Sequence, residues 1–148
     1  RMGYVTNADI EERIGTAVLV ELTDDDQTGQ VDADKVDEAR LGAEGEVNGA
    51  LGRRYAVPVD VGVHTELAGL LKSITLDVAE YRLYGRRPPV PADVKTKRDG
   101  ALRWLESVAE GRAVLPAASV LPGPVTEGII GAAVGAERVL KRNTMEDL

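Results

Sequence analysis

Apolar residues recur at the three- and four-residue spacing of a helix face through most of the first 111 positions. Thr6-Asn7-Ala8-Asp9 is a helix start, with Thr6 as N-cap and Asp9 in the place usually held by Glu in a capping box. Ile10 and Ile14 lie one turn apart, and Gly15 is a natural stop. Thr16 is then expected to cap a second short helix with Val18, Leu19 and Leu22 on its inner side. A polar loop from Thr23 to Val31 follows, and Asp32 caps a long helix expected over Ala33 to Arg54, where Val36, Ala39, Ala43, Val47 and Ala50 form one face. Val57-Pro58-Val59 reads as extended, because the residue before proline is pushed out of the helical region. The next helix, Thr65 to Tyr84, carries Leu67, Leu70, Leu71, Ile74, Val78 and Tyr81 in one stripe and Ala68, Leu76, Ala79 and Leu83 elsewhere around it. An element apolar on two sides belongs at the centre of a bundle. Gly85 and Pro88-Pro89-Val90-Pro91 end it, and a last helix begins near Ala92 with Asp93 in its first turn. Val94, Ala101, Trp104, Leu105 and Val108 form its expected buried face, and Gly111 stops it.

The pattern changes after Gly111: three prolines, several glycines and weak periodicity mark residues 112–148. The expected fold is therefore mainly α, a small bundle of four to five helices over residues 1–111, with an extended C-terminal arm over 112–148 that has room for a short β pair. Aromatic residues make up 3% of the chain and Phe is absent, so the core must be built from Val, Leu, Ile and Ala. Cysteine is absent too, which removes disulfides, thiolate zinc sites and cysteine nucleophiles. The single histidine, His64, rules out a multi-histidine metal site within one subunit. No apolar run approaches the roughly 20 residues that span a bilayer, so no membrane partner is expected.

Charge is distributed unevenly. Residues 1–38 hold eleven acids against three bases, whereas residues 82–103 hold seven Lys or Arg against two Asp. A net charge of −7 disfavours nonspecific nucleic-acid binding. An acidic end and a basic middle suit each other, and the acids of residues 9–38 are expected to face the basic stretch of an adjacent copy.

Three clusters are candidates for function. In the acidic loop, Asp24, Asp26, Thr28 and Asp32 fall at EF-hand-like spacing, but Lys35 stands where the bidentate glutamate would be. The loop reads either as a metal-free polar turn or as a weak cation site. Gly42, Gly45, Gly49 and Gly52 fall within a sector of roughly 80° on their helix, away from the Val36–Ala50 face. They read as small residues in a relaxed surface helix or as a place where another helix comes close. Arg82, Arg86, Arg87, Lys97 and Arg98 form a basic region around a turn, open to solvent, to an acidic neighbour or to passing DNA. No nucleophile signature or phosphate loop accompanies His64, and Glu11-Glu12 and Glu44-Glu46 read as solvated helix positions. Neither an enzyme nor a cofactor is expected.

Several segments together resemble a known family. Met2-Gly3-Tyr4-Val5-Thr6 with Asp9, Glu21-Leu22-Thr23-Asp24, Gly52-Arg53-Arg54-Tyr55-Ala56-Val57-Pro58, Asp77-Val78-Ala79-Glu80-Tyr81-Arg82-Leu83-Tyr84, Ala101-Leu102-Arg103-Trp104-Leu105 and the closing Glu137 to Met145 occur in order over about two thirds of the chain. They resemble a family of small proteins of Mu-like bacteriophages and prophages, long catalogued as a domain of unknown function and associated with head completion. The resemblance implies a virion neck protein assembled in the host cytoplasm: a head-to-tail adaptor in a ring, contacting the portal, neighbouring copies and a downstream stopper or tail protein, with DNA only as cargo through the channel. The candidate interface residues are then Gly42, Gly45, Gly49 and Gly52 from their helix face, Arg82, Arg86, Arg87, Lys97 and Arg98 from the basic region, and Arg138, Leu140 and Arg142 of the closing segment. The other reading of the residues is a cation-responsive protein-binding module built on the acidic loop.

Overall fold

A computed structural model of the chain describes residues 3–116, and the expected β pair and most of the expected arm lie outside them. Within them the elements are helical: α1 (Asn7–Ile14), α2 (Thr16–Thr23), α3 (Ala33–Leu51), a single 3₁₀ turn (Thr65–Leu67), α4 (Ala68–Tyr84) and α5 (Ala92–Ala109).

The local signals act largely as expected. Thr6 Oγ1 accepts from the Asp9 amide at 3.1 Å, and Asp9 Oδ2 accepts from the Thr6 amide at 2.9 Å, closing the capping box. Gly15 has φ 95, a conformation that side-chain-bearing residues avoid. It ends α1 and also serves as N-cap of α2, so Thr16 is the first helical residue and not the cap; its hydroxyl donates instead to Glu11 Oε2 at 2.6 Å. Asp32 caps α3 through the Asp34 and Lys35 amides.

α3 stops at Leu51, three residues short of the expected end. The chain then winds through looser turns, with the amides of Arg54 and Tyr55 both donating to the Leu51 carbonyl. This brings Tyr55 into the core, where it is 2% exposed.

α4 is the centre. It packs against α3 and α5 on its two long sides and against α1, α2 and the 3₁₀ turn elsewhere. Leu71, Ile74, Leu76, Val78, Ala79 and Leu83 are buried, so the two apolar sides read from the sequence are both covered. Of the residues expected on inner faces, Val18, Ala50, Tyr81 and Trp104 are only partly buried and Leu70 is exposed. The helix of Leu70 begins later than expected and its first turn lies at the end of the bundle; Trp104 packs along the edge of the core. Arg82 of α4 meets Glu46 of α3, and Lys97 of α5 meets Glu80 of α4. Arg86, just past α4, reaches the Leu22 carbonyl and Asp25 ahead of α3, and Leu115 after α5 meets Tyr55 after α3, so α4 runs antiparallel to both neighbours and its start shares one end with the C-termini of α3 and α5.

Two segments outside the helices close the core. Tyr4 lies across α3: its hydroxyl donates to Asn48 Oδ1 at 2.6 Å and accepts from the Val59 amide at 2.9 Å. Past Gly111 the chain folds back, and the Leu115 amide donates to the Tyr55 hydroxyl at 2.9 Å with Leu115 itself buried. Residues 112–115, the first four of the expected arm, therefore run back to the body.

Tyr4→Phe keeps the ring but leaves the buried Val59 amide without its acceptor. A loss of about 1–3 kcal/mol is expected, read as a lower urea midpoint at unchanged slope.

Candidate functional site

The acidic loop is a self-contained turn. Thr23, fully buried, donates its hydroxyl to the Leu19 carbonyl at 2.8 Å and accepts from the Asp32 amide at 3.0 Å, which pins the two ends of the loop together. Inside it, the Asp24 carboxylate accepts from the Thr28 amide at 2.8 Å, the Gly29 amide at 2.6 Å and the Thr28 hydroxyl at 3.1 Å. The Thr28 and Gly29 amides hold Asp24 below the usual carboxylate range. Gly29 supplies the positive φ of 82 that the turn requires.

Of the four residues considered as cation ligands, Asp24 and Thr28 are thus brought together by bonding to each other, and Asp32 is used at the start of α3. Asp26 is exposed and joins none of them. Among the described residues no group of three or more His, Cys, Asp or Glu is arranged to hold a metal ion. Micromolar calcium is expected to leave the melting temperature unchanged, which a titration followed by thermal melting checks.

The basic region lies against the acidic turn of the same chain. Asp25 accepts from Arg86 and Arg87, each at 2.6 Å, and these two arginines hold its carboxyl below the ordinary range. Arg86 also donates from Nε to the Leu22 carbonyl at 2.9 Å, a cation placed at the C-terminus of α2. Lys97 and Arg13 converge on the buried Glu80 at 3.4 and 3.0 Å, and Arg13 reaches Asp77 at 3.1 Å. Burial opposes the charge of Arg13, but its bonds to Asp77 and Glu80 outweigh that and raise its pKa. The Arg98 guanidinium sits 4.4 Å from the centre of the Tyr81 ring. Asp25 of the acidic stretch therefore pairs with Arg86 and Arg87 of the basic stretch within one chain.

The four glycines of α3 divide. At Gly42 an added Cβ would meet the Arg82 guanidinium, which lies over it and pairs with Glu46 at 2.8 Å. At Gly52 it would meet the Asn48 carbonyl and Val57. Gly45 and Gly49 have nothing within 4 Å among the described residues, so no described helix approaches there. Leu41, 58% exposed, is one turn before Gly45, and the three residues make an uncovered stripe along α3. Arg138, Leu140 and Arg142 lie outside the described residues.

Two buried carboxylates were missed from the pattern alone. Glu80 shares a stripe with Leu76 and Leu83, and Glu44 shares one with Val47 and Leu51. Position on an apolar stripe was the available signal, outweighed by the habit of reading glutamate as solvated. Glu44 accepts from the Val5 amide at 3.3 Å, and its carboxylate fills the space that a Cβ at Gly3 would need.

Asp9, Asp24, Asp25 and Asp37 all lie below their ordinary values: Asp9 and Asp24 chiefly through bonds from backbone amides, Asp25 from arginines, Asp37 from Asn7 and Arg40. The stability they contribute is complete above the unfolded carboxylate value of about 3.9 and is lost as pH falls through the lower folded values. Thermal melts from about pH 5 down to about pH 2 are expected to show a falling melting temperature, with a shallower fall in Asp25→Asn.

No curated protein aligns with the chain. A family model described as bacteriophage Mu, Gp36 matches residues 4–128, a span that takes in every helix described above and continues past the described residues. The chain belongs to the bacteriophage Mu Gp36 family.

Proposed function

We propose that this phage protein is a non-catalytic structural subunit of the virion neck, one copy in a ring that joins the portal to the next neck or tail protein. The observation that carries the reading is family membership over most of the chain, in agreement with the head-completion association of the resembling segments. The structure supports it in two ways. The described helices pack around one apolar core and are cross-linked by charge contacts from α1 to α5, as suits a subunit that folds on its own. The Leu41–Gly45–Gly49 stripe then offers a smooth, uncharged track on α3 where the backbone of a neighbour can come close.

Ring contacts are heterologous, so the α3 track of one copy meets a different surface of the next. The closing basic segment, with Arg138, Leu140 and Arg142, is assigned to the portal or the downstream neck protein, and DNA passes as cargo.

The reading is tested in the phage itself. Removing the protein is expected to leave filled heads and free tails in electron micrographs; normally joined virions would reject it. Gly45→Glu with Gly49→Glu separates docking from folding. Both sites are open among the described residues, and the isolated doubly substituted chain is expected to stay folded, the helix-propensity gain offsetting the repulsion of two glutamates one turn apart. The doubly substituted protein is nevertheless expected to fail to restore joined virions.

A further inference from the structure

Four of the five exposed large apolar side chains among the described residues lie in the segments that follow α3 and α5 or lead into α4. Val57 follows α3, Val63 lies in the loop before the 3₁₀ turn, Leu70 is in the first turn of α4, and Val114 follows α5. Val63 and Val114 are 69% and 68% exposed. Val57 sits against Gly52, and Gly111 lies against Arg54, so the ends of α3 and α5 are in contact there. A single exposed valine needs no explanation, whereas a concentration of them at one end marks a surface that something covers.

The described residues end at this same place. Leu115 is buried beneath Tyr55, so the next residues start beside Val114 with no spacer. The sequence that follows, residues 117–134, holds one charged residue, Glu127, in a protein that is 29% charged overall. It carries Val120, Leu121, Val125, Ile129, Ile130 and Val134. The family match runs to residue 128, into this segment.

We infer that residues 117–134 dock on the end of their own bundle and cover Val57, Val63, Leu70 and Val114. Tethering decides the occupant: a segment attached one residue from the surface acts at an effective concentration on the order of millimolar, well above that of a separate copy in dilute solution. Burying apolar side chains on both partners supplies the driving force. The inference does not depend on the neck assignment, and it leaves residues 135–148, with Arg138, Leu140 and Arg142, as the part that reaches partners.

The test is amide hydrogen exchange on the full chain, followed segment by segment at two protein concentrations. Amides in 117–134 are expected to exchange about tenfold or more slowly than in an unstructured peptide, independent of concentration. Val63→Asp combined with Val114→Asp is expected to abolish that protection while amides of α3 to α5 stay protected. Ile129→Asp with Ile130→Asp, which leaves the body untouched, is expected to do the same. Three results overturn the inference: free exchange throughout 117–134, protection that rises with concentration and so belongs to a second copy, or protection that survives both pairs of substitutions.

Discussion

α4 carries apolar side chains around most of its circumference, and burying them requires covers on several sides at once. α3 and α5 take the two long sides, while α1 and α2 close the remainder. The other helices can be short or broadly polar because each has one face to bury and α4 to bury it against. With no Phe and few other aromatics, the core is filled by Leu, Val, Ile and Ala, and small residues such as Ala39, Ala43 and Ala79 let helices approach closely.

Around that core the polar contacts do a different job. Glu80 joins α1 to α5 through Arg13 and Lys97, and Asp25 joins the α2–α3 loop to the α4–α5 turn through Arg86 and Arg87. The pair at Asp25 is exposed and adds little to stability in water. Its value is geometric, because it fixes the orientation of a turn whose backbone is otherwise held by few long-range bonds. Glu80 is buried, and its two cationic partners satisfy a carboxylate that would be costly alone. The body so formed pairs Glu80 and Asp25 within itself and leaves the Leu41–Gly45–Gly49 stripe uncovered by any described helix.

The separation suits an assembly subunit. A surface of small and aliphatic side chains is selective by shape, since close backbone approach fails when a single bulky residue intervenes, whereas exposed charge pairs are screened within about 8–10 Å at physiological salt. The stripe along α3 and the exposed Val57, Val63, Leu70 and Val114 also lie on different segments, so they can serve different contacts.

Helix starts and stops, the central place of α4 and most of the core were legible in the sequence because they follow from local chemistry. Thr6 with Asp9, Gly15, Asp32 and Gly111 act within a few residues of themselves, and helical periodicity reports which side of a helix is buried. What covers that side is a matter of which segments meet, and only the tertiary structure decided it. The charge excess of residues 1–38 was plain from composition, but that Asp25 would find Arg86 and Arg87 of its own chain depended on the α2–α3 loop folding beside the α4–α5 turn. The four glycines looked alike at their shared angle on α3, yet Arg82 occupies the space at Gly42 while Gly45 and Gly49 meet nothing among the described residues. Periodicity fixes the direction of a residue about its own axis; the presence of a neighbour in that direction is a property of the whole packed chain.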